Sequence, residues 1–508
     1  MSAPANHGPA TAIIRNGRPH PLGRSHQRYL LTAESWSLLP AALAAEPELE
    51  LMGLWAEPGF VHAAFLMPDH RSLLLASAPL REGRYAALSP VRPGAAWYER
   101  AVRDLWAIEA VGGVDLRPWL DHGCWHFEMP LSGRPVRRSV APPQPAFLPA
   151  EGEGVHQIPV GPVHAGIIEP GHFRFHVRGE TIVRLETRLG YAHKGTIGLM
   201  LGKSPRAAAR YAARISGDST VAHSWAFAMA AEAATGAEPP PRALALRAVM
   251  AECERVANHL GDWGAVLNDA AFAAAHARTG MLREGLLRAC DAAFGHRLMM
   301  DRILPGGVAQ DLAPGGIRAL TAALGTIAAA LPELAALYED HASLGDRTIG
   351  TGTIPEALAT RFAAGGVVGR ASGRPFDARD APGYAPYEDV AVTLRAEGDV
   401  DARLRIRLDE LRESLRLLDG LLATLPDGPL SVPLRPQEGE GLGLVEGFRG
   451  EALHWMALDD GGLIRAVFPR DASWAHWPLL EAAMIGNIVG DFPLVNKSIN
   501  ASYSGVDL

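Results

Sequence analysis

The chain has 508 residues, of which 48% are hydrophobic and 20% are charged, the usual balance of a globular protein with a large interior. A formal charge of -8, with no block of Lys and Arg, excludes the charge pattern of nucleic-acid-binding proteins, so no nucleic-acid partner is expected. Three widely separated cysteines, Cys124, Cys253 and Cys290, exclude a disulfide framework and favour a reducing cytoplasm. The length predicts about two to four folding units.

The first part of the chain is predicted to form a small α/β domain over residues 29–130. Apolar segments at 49–54 and 61–66 are typical of strands, and residues 33–45 are typical of a helix. Residues 1–28 are rich in Pro, Gly and His and lack the apolar core of a secretory signal, so we expect a flexible N-terminus there. No segment is expected to span a bilayer, because every long apolar run is interrupted by charges, Gly or Pro.

The second part, residues 155–508, is predicted to be a mainly helical bundle with β-hairpin additions, which makes the whole chain α+β. Residues 131–154 form a proline-rich linker that cannot continue a helix. After it, residues 172–187 alternate polar and apolar side chains around a Gly-Glu turn, as in a hairpin. Apolar residues three or four apart at 246–267 and 404–422 predict two long bundle helices.

Six motifs of the second part occur together in one protein family. They are Gly161-Pro-Val-His164, Glu169-Pro-Gly-His172-Phe-Arg174, Tyr191-Ala-His193-Lys-Gly195, Glu254-Arg255-Val-Ala-Asn258-His259, Gly369-Arg370-Ala-Ser372-Gly373 and Val445-Glu446-Gly-Phe-Arg449-Gly450-Glu451. This part resembles the quinone-site, or D-type, subunit of complex I, the NADH-quinone oxidoreductase. It is more similar to the large subunit of formate hydrogenlyase and other energy-converting nickel-iron hydrogenases.

The segment from Pro90 to Arg117 is similar to the small hydrophilic, or C-type, subunit of complex I, so the chain resembles a fusion of the C-type and D-type subunits. Its helix carries Glu99, Arg100 and Asp104, which we interpret as a solvated face of a motif that organises packing rather than catalysis. The glycine-rich pieces of the chain lack the strand-loop-helix context of a nucleotide cradle, so NAD enters only as a family label.

The resemblance implies a nickel-iron centre held by two Cys-x-x-Cys pairs, because soft thiolates bind such metals. The matching positions of this chain are Ser216, Ser219, Ser502 and Gly505. Hydroxyl groups and a missing side chain do not replace thiolates. We therefore expect no nickel, no metal bound at these positions and no hydrogenase activity.

The resemblance also implies candidate site residues around the former metal cavity. Glu169 resembles a proton-relaying glutamate, although a loop carboxylate that caps a backbone N–H is the alternative. For quinone, His164 is retained, but Ile168 and Gly217 stand at two positions where the family clamp has a His and a Tyr. Further candidates for catalysis or for a quinone cavity are His172, Tyr211, His223 and Arg370.

Each further candidate has a simpler interpretation as well. His172 and Tyr211 could donate a hydrogen bond to a quinone carbonyl, but such residues usually serve the fold. His223 follows Ser219 by four residues on one helical face, where a histidine is more often packed than a ligand. Arg370, with Asp377 and Arg379 nearby in sequence, could belong to a buried ionic network or to a solvated pair.

The family resemblance implies a core hydrophilic subunit that couples electron transfer to ion translocation without a nickel-iron centre. Expected partners are an iron-sulfur small subunit similar to the B-type subunit of complex I, which would carry the cluster, and membrane-arm subunits similar to the H-type and antiporter-like subunits of complex I. These would hold the chain on the inner, cytoplasmic face of the cell membrane. The alternatives are a quinone-reducing module of an NADH-quinone oxidoreductase-like complex and a non-catalytic scaffold.

Overall fold

The computed structural model describes residues 8–23, 26–139 and 146–508. The elements of its first part are α1 (Pro9–Arg15), β1 (Arg18–Pro19), β2 (Gln27–Leu30), α2 (Ala33–Ala44), β3 (Glu50–Glu57), β4 (Phe60–Leu66), β5 (Leu73–Pro79), β6 (Arg84–Ala86), α3 (Ala95–Trp106), β7 (Glu109–Val111), β8 (Phe127–Glu128) and β9 (Val136–Arg137). One sheet has the order β1-β2-β5-β4-β3, with β2 and β5 parallel and its other pairs antiparallel. The predicted strands at 49–54 and 61–66 and the helix at 33–45 are confirmed.

The N-terminal segment differs from the flexible tail that the sequence predicts over residues 1–28. Helix α1 is packed into the core through Ala10, Thr11 and Ile14. The buried carboxylate of Glu46 accepts the backbone N–H groups of Ala10 and Thr11 at 2.8 and 2.9 Å, so it satisfies donors that a helix start leaves without partners. The prediction is therefore wrong for this helix, while residues 1–7 and 24–25 lie outside the described residues.

The charged residues of α3 are buried, although the sequence analysis placed them on a solvated face. Glu99 accepts backbone N–H groups of residues 88–89, and Asp104 accepts those of residues 119–121. Arg100 donates to two backbone carbonyls. These charges satisfy buried backbone groups, which a helical charge pattern alone does not distinguish from exposure to water. The expected packing role of the motif agrees with these contacts.

The elements of the second part are β10 (Val155–Val160), β11 (His172–Arg178), β12 (Thr181–Arg188), α4 (Thr196–Met200), α5 (Pro205–Ala212), α6 (Thr220–Thr235), α7 (Pro241–Asp269), α8 (Ala273–Phe294), β13 (Ile303–Leu304), β14 (Gly307–Val308), α9 (Gly316–Glu339), α10 (Ala342–Thr348), α11 (Glu356–Arg361), α12 (Gly366–Ala371), α13 (Val400–Ala423), β15 (Gly439–Glu446), β16 (Glu451–Leu458), β17 (Ile464–Arg470), α14 (Ser473–Ala483), α15 (Phe492–Ile499) and α16 (Ser504–Asp507). The predicted hairpin and both predicted long helices are confirmed by β11–β12, α7 and α13. Mixed helices and strands give the α+β class that the sequence predicts.

Helices α7, α8, α9 and α13 form the bundle, in which α7 packs against α8 and α13. Helix α7 starts at Pro241, where a proline is tolerated because the first N–H groups of a helix have no internal partner. Helix α9 is long and apolar enough to cross a membrane by length and composition alone, with a mean hydropathy of 1.6 over its best 18 residues. It contains Pro332 and packs one face into the bundle, as the core helices of soluble proteins also do.

Two three-stranded antiparallel sheets complete the second part, in the orders β10-β11-β12 and β15-β16-β17. Strand β15 lies directly on α6, because glycines alternate along it. A Cβ atom at Gly441 would overlap the carbonyl oxygen of Ala230, and the same holds at Gly439 and Gly443 for other α6 carbonyls. The sequence analysis missed this strand, since alternating glycines give no apolar alternation to detect.

The two parts of the chain share one continuous core. Trp55 of β3 stacks on Phe468 of β17 with ring centroids 4.7 Å apart, and it packs against Trp455 of β16 at 5.4 Å. Buried ion pairs Arg374–Glu50 and Arg28–Glu440 also join the parts. The predicted linker 131–154 contains β9, and its residues 140–145 lie outside the described residues.

Candidate functional site

A polar cavity of about 280 Å³ lies where the loop between β10 and β11 meets the start of α6 and the last segment of the chain. We call it the polar cavity. Its lining residues are Ile168, Glu169, Ser216, Gly217, Asp218, Arg449, Asn496, Lys497, Asn500, Ala501, Ser502, Tyr503 and Ser504. Hydroxyl, amide and charged groups dominate this wall, so the cavity suits water or small polar groups.

Two of the four positions matched to metal ligands, Ser216 and Ser502, line this cavity, while Ser219 contacts Arg449 and Gly505 contacts Ser502 beside it. The hydroxyl oxygens of Ser216 and Ser502 are 2.8 Å apart, although 286 positions separate them in the chain. Ser216 donates to Asp218 at 2.8 Å, so Ser502 is the donor of the bond between the two serines. The Ser502 oxygen in turn accepts the backbone N–H of Gly505 at 3.0 Å. A single directed series of hydrogen bonds therefore joins the two former ligand segments.

The donor set at these positions does not fit a nickel-iron centre. Serine hydroxyls are neutral, hard donors, whereas such metals need thiolates. A Cβ atom at Gly505 would lie 2.7 Å from Cγ of Asp471, so the fourth position has no room for a side chain without a shift. Ser219 is engaged differently, because its hydroxyl accepts a hydrogen bond from Arg449 at 2.9 Å.

Arg449 connects three segments at the wall of the polar cavity. It follows the turn after β15 and donates to both carboxylate oxygens of Asp218, to Ser219 and to the backbone carbonyl of Asn500. Burial favours the neutral form of Asp218, but the charge and hydrogen bonds of Arg449 outweigh it and lower the pKa of that carboxyl. Asp218 is thus an ionised partner of Arg449, which leaves little free negative charge to attract a cation.

Glu169 lies on the cavity wall, where the sequence analysis expected it. One of its oxygens accepts the backbone N–H of Ser504 at 2.8 Å and so caps the single turn α16. At the other end of this turn, burial raises the pKa of Asp507 to about 7, against the hydrogen bonds it accepts from Ala192 and Gly190. The capping contact is present, and it leaves the second oxygen free for a relay, so the relay stays a prediction.

His164 reaches the edge of this site. Its Nε2 lies 3.3 Å from the hydroxyl of Tyr503, which follows the matched position Ser502 directly in sequence. Burial raises the pKa of Tyr503 above its usual value, with Glu169 contributing in the same direction. Tyr503 was missed by the sequence analysis, although its place inside the serine-glycine motif was a usable signal.

The other four candidates do not line the polar cavity. His172 packs against Phe147, with Nδ1 at 3.4 Å from a backbone carbonyl, and Tyr211 lies on α5 beside Arg210. His223 is fully buried between Asp471 at 2.9 Å and His454 at 3.1 Å. Of the residues predicted for a quinone cavity from the family resemblance, His164 contacts a residue of the polar cavity, whereas Tyr211, His223 and Arg370 do not line it.

Arg370 belongs to a buried ionic network, and the interpretation as a solvated pair is wrong. It contacts Glu410 at 2.8 Å, Glu446 at 2.8 Å and Asp377 at 3.4 Å. We call the network the Arg370 cluster. Its members are Glu252, Arg255, His259, Arg370, Asp377, Arg379, Glu410 and Glu446, each at most 5% exposed.

Two family models match the chain. Residues 56–144 match the family described as the respiratory-chain NADH dehydrogenase 30 Kd subunit, and residues 273–435 match the 49 Kd subunit. The order of the two matches agrees with the predicted fusion of the C-type and D-type subunits.

Relatives fall in both the hydrogenase and the complex I branches. The chain is 30% identical over 441 residues to formate hydrogenlyase subunit 5 of Escherichia coli (strain K12), covering 83% of this chain and 77% of the relative. Hydrogenase-4 component G of the same organism is 30% identical over 450 residues, with 85% and 77% covered. The D 1 subunit of the NADH-quinone oxidoreductase of Roseiflexus sp. (strain RS-1) is 30% identical over 368 residues, with 69% and 98% covered.

A solved structure of the membrane-bound sulfane sulfur reductase, described as an archaeal respiratory membrane complex, contains a chain of the same fold. The TM-score is 0.66 at 22% identity, covering 70% of this chain and 99% of that chain. The fold of the second part is thus one that such complexes contain.

Proposed function

We propose that this chain couples electron transfer to ion translocation without a nickel-iron centre, because it belongs to the family of complex I-like and membrane-bound hydrogenase large subunits. It would be the core hydrophilic subunit of a membrane-associated oxidoreductase. The observation that carries the proposal is the hydrogen bond between Ser216 and Ser502, which joins two of the positions matched to metal ligands through neutral hydroxyl groups. Such a wall can transfer protons through O–H groups, but the matched positions offer no thiolate for a nickel-iron centre.

Glu169 is the proposed coupling residue of this cavity. Its carboxylate lies beside Tyr503 and Ser504 and near Asp507, which titrates at about 7 and can exchange a proton at neutral pH. Lys194 and Asp507 are both within electrostatic reach of Glu169. A proton arriving in the cavity would therefore meet groups that can take it up and release it.

The partners follow from the same family. An iron-sulfur small subunit similar to the B-type subunit of complex I would bring electrons to the cavity, and membrane-arm subunits similar to the H-type and antiporter-like subunits would move the ion. The chain would then lie peripherally on the inner, cytoplasmic face of the membrane. Membership in a family of membrane-bound hydrogenase and complex I-like subunits supports this arrangement.

The test is Glu169→Gln in the intact complex, assayed as proton and sodium flux in inverted membrane vesicles. The amide still accepts the Ser504 N–H but does not titrate, so we expect normal assembly and a flux reduced at least about tenfold, as for loss of a general acid–base group. The matched control is Glu180→Gln, at the exposed turn between β11 and β12, which should leave flux unchanged. Normal flux in assembled E169Q complexes would contradict coupling through Glu169 and favour the scaffold.

Quinone reduction is the second candidate, supported by the contact between His164 and Tyr503. Both groups can donate a hydrogen bond to a carbonyl oxygen at the cavity edge. The same vesicles distinguish the two functions: quinone-dependent electron transfer that is lost in Tyr503→Phe, with flux following it, would assign the cavity to quinone. Ion flux that does not depend on added quinone would leave ion coupling as the remaining one of the two functions.

A further inference from the structure

The Arg370 cluster contains more buried carboxyl groups than cations. Three guanidinium groups, those of Arg255, Arg370 and Arg379, face four carboxyl groups, those of Glu252, Asp377, Glu410 and Glu446. An unpaired charge taken out of water is costly, so a cluster of this composition is stable when it also holds one proton.

Charged groups next to the Arg370 cluster do not supply the positive charge that it lacks. Glu451 forms its own ion pair with Arg470 at 2.7 Å, and Arg407 pairs with Asp262 at 3.3 Å. Both pairs are electrically neutral. The excess carboxylate must therefore be compensated inside the Arg370 cluster.

Three of the four carboxyl groups are well compensated. Glu252 accepts from Arg379 twice at 3.1 Å and from the hydroxyls of Tyr387 and Ser414. Asp377 forms a two-point contact with Arg379 at 3.1 and 2.8 Å. The charge-assisted bonds of these two groups favour their ionised forms, and the pKa of each is lowered, although burial acts in the opposite direction.

The negative charge of Glu410 is compensated as well as those of Glu252 and Asp377. Arg370 donates to it through Nε at 2.9 Å, with Nη2 2.8 Å from the same oxygen as an ion-pair contact, and His259 donates at 2.8 Å. Burial opposes its ionisation, but these contacts place its pKa well below the usual range. Glu410 is therefore ionised.

Glu446 is the least compensated of the four. It accepts one bond from Arg370 at 2.8 Å and one backbone N–H from Ala378 at 3.1 Å, while Asp377 and Glu451 face it with negative charge. Arg255 adds only a distant attraction, because its guanidinium donates to the backbone carbonyl of Glu446. We infer that the Arg370 cluster is a proton-binding site and that the carboxyl group of Glu446 carries the proton.

His259 is the competing carrier within the cluster. Its Nε2 contacts Glu410, but its Nδ1 is buried without a hydrogen-bond partner among the described residues. A doubly protonated ring would bury an unsatisfied N–H there, and burial lowers the pKa of this imidazole. The proton is therefore on Glu446, and His259 is neutral.

The free energy of unfolding depends on pH through Glu446. Burial, with Asp377 and Glu451, raises the pKa of Glu446 to about 7, above its value of about 4.3 in an unfolded chain. Between these values the folded state binds the extra proton. The stability that it contributes is complete in acid and is lost as the pH rises through about 7. The pH dependence from Glu446 is independent of a proton relay through Glu169, since the Arg370 cluster does not line the polar cavity.

The experiment is an infrared pH titration of the full chain in its complex, following the protonated-carboxyl band. We expect the difference spectrum between wild type and Glu446→Gln to contain one protonated-carboxyl component that disappears near pH 7, because Asp507 and Glu481, whose pKa values burial also raises to about 7, absorb equally in both proteins. The variant should fold, because an amide mimics the protonated group. Glu254→Gln is the matched control: burial raises the pKa of Glu254 to about 8, yet it lies on α7 outside the cluster. The band near 7 should persist in that variant.

Other results would overturn the inference. An unchanged carboxyl band in Glu446→Gln would remove Glu446 as the carrier. A cluster proton on His259 would give imidazolium bands instead of a carboxyl band, and loss of such bands in His259→Gln would assign the proton to the imidazole. Failure of Glu446→Gln to fold would also contradict it, since the neutral form is the one inferred. As a second readout, the melting temperature of Glu446→Gln relative to wild type should rise between about pH 5 and pH 8.

Discussion

The polar cavity and the Arg370 cluster lie in the same domain, but they hold their polar groups in opposite ways. The cavity wall combines neutral hydroxyls and amides with the Asp218–Arg449 ion pair and the charged side chains of Glu169 and Lys497, next to a space that water can enter. The Arg370 cluster is dry, with its charges at most 5% exposed. Neutral hydroxyls beside a water-accessible space can therefore be replaced at low cost, whereas the charges of the cluster depend on one another.

The largest effect is expected for Arg370→Ala, which removes the cation shared by Glu410 and Glu446. Leaving buried carboxylates without a partner costs about 3–5 kcal/mol, and we expect loss of soluble, folded protein or a strongly lowered unfolding midpoint in urea. The control is Arg405→Ala, because Arg405 pairs with Asp401 in a half-exposed position and its loss should cost at most about 1 kcal/mol. Equal effects of both changes would contradict the contrast between dry and solvated charges.

An intermediate loss of stability is expected for Gly505→Ala beside the polar cavity. The added methyl would lie 2.7 Å from Cγ of Asp471, so overpacking should cost about 1–3 kcal/mol. Gly217→Ala, on the same cavity wall, meets nothing within 4 Å and should be nearly neutral. Thermal unfolding of both variants measures the difference. If Gly505→Ala is as stable as Gly217→Ala, the fourth former ligand position has room for a side chain after all.

The sequence predicted which segments form the polar cavity better than it predicted which side chains contact one another there. Short motifs fixed Glu169 and the former ligand positions, because such segments keep their spacing. The pairing of Arg449 with Asp218 was missed, since it joins segments more than two hundred residues apart. The burial of charges was underestimated twice: charges on α3 that were expected to be solvated are buried, and Arg370, for which a solvated pair was one alternative, lies in a network whose members come from five separate segments. Tertiary contacts of this kind leave no periodic signal in one sequence.

The smallest effect concerns the Ser216–Ser502 bond itself and requires a double-mutant cycle. Each single alanine change leaves one hydroxyl without its partner and should cost about 1 kcal/mol, because the net worth of a hydrogen bond between neutral groups is small. Ser216→Ala also removes the donor to Asp218, and Ser502→Ala also removes the acceptor of the Gly505 N–H, so the two single changes should cost similar amounts. Urea unfolding of wild type, both singles and the double variant gives the coupling energy. We expect about 0.5–1 kcal/mol of coupling, since residues in direct contact are not additive. Strict additivity would mean that water satisfies both hydroxyls equally well, and that the two segments are held together by Arg449 rather than by the serines.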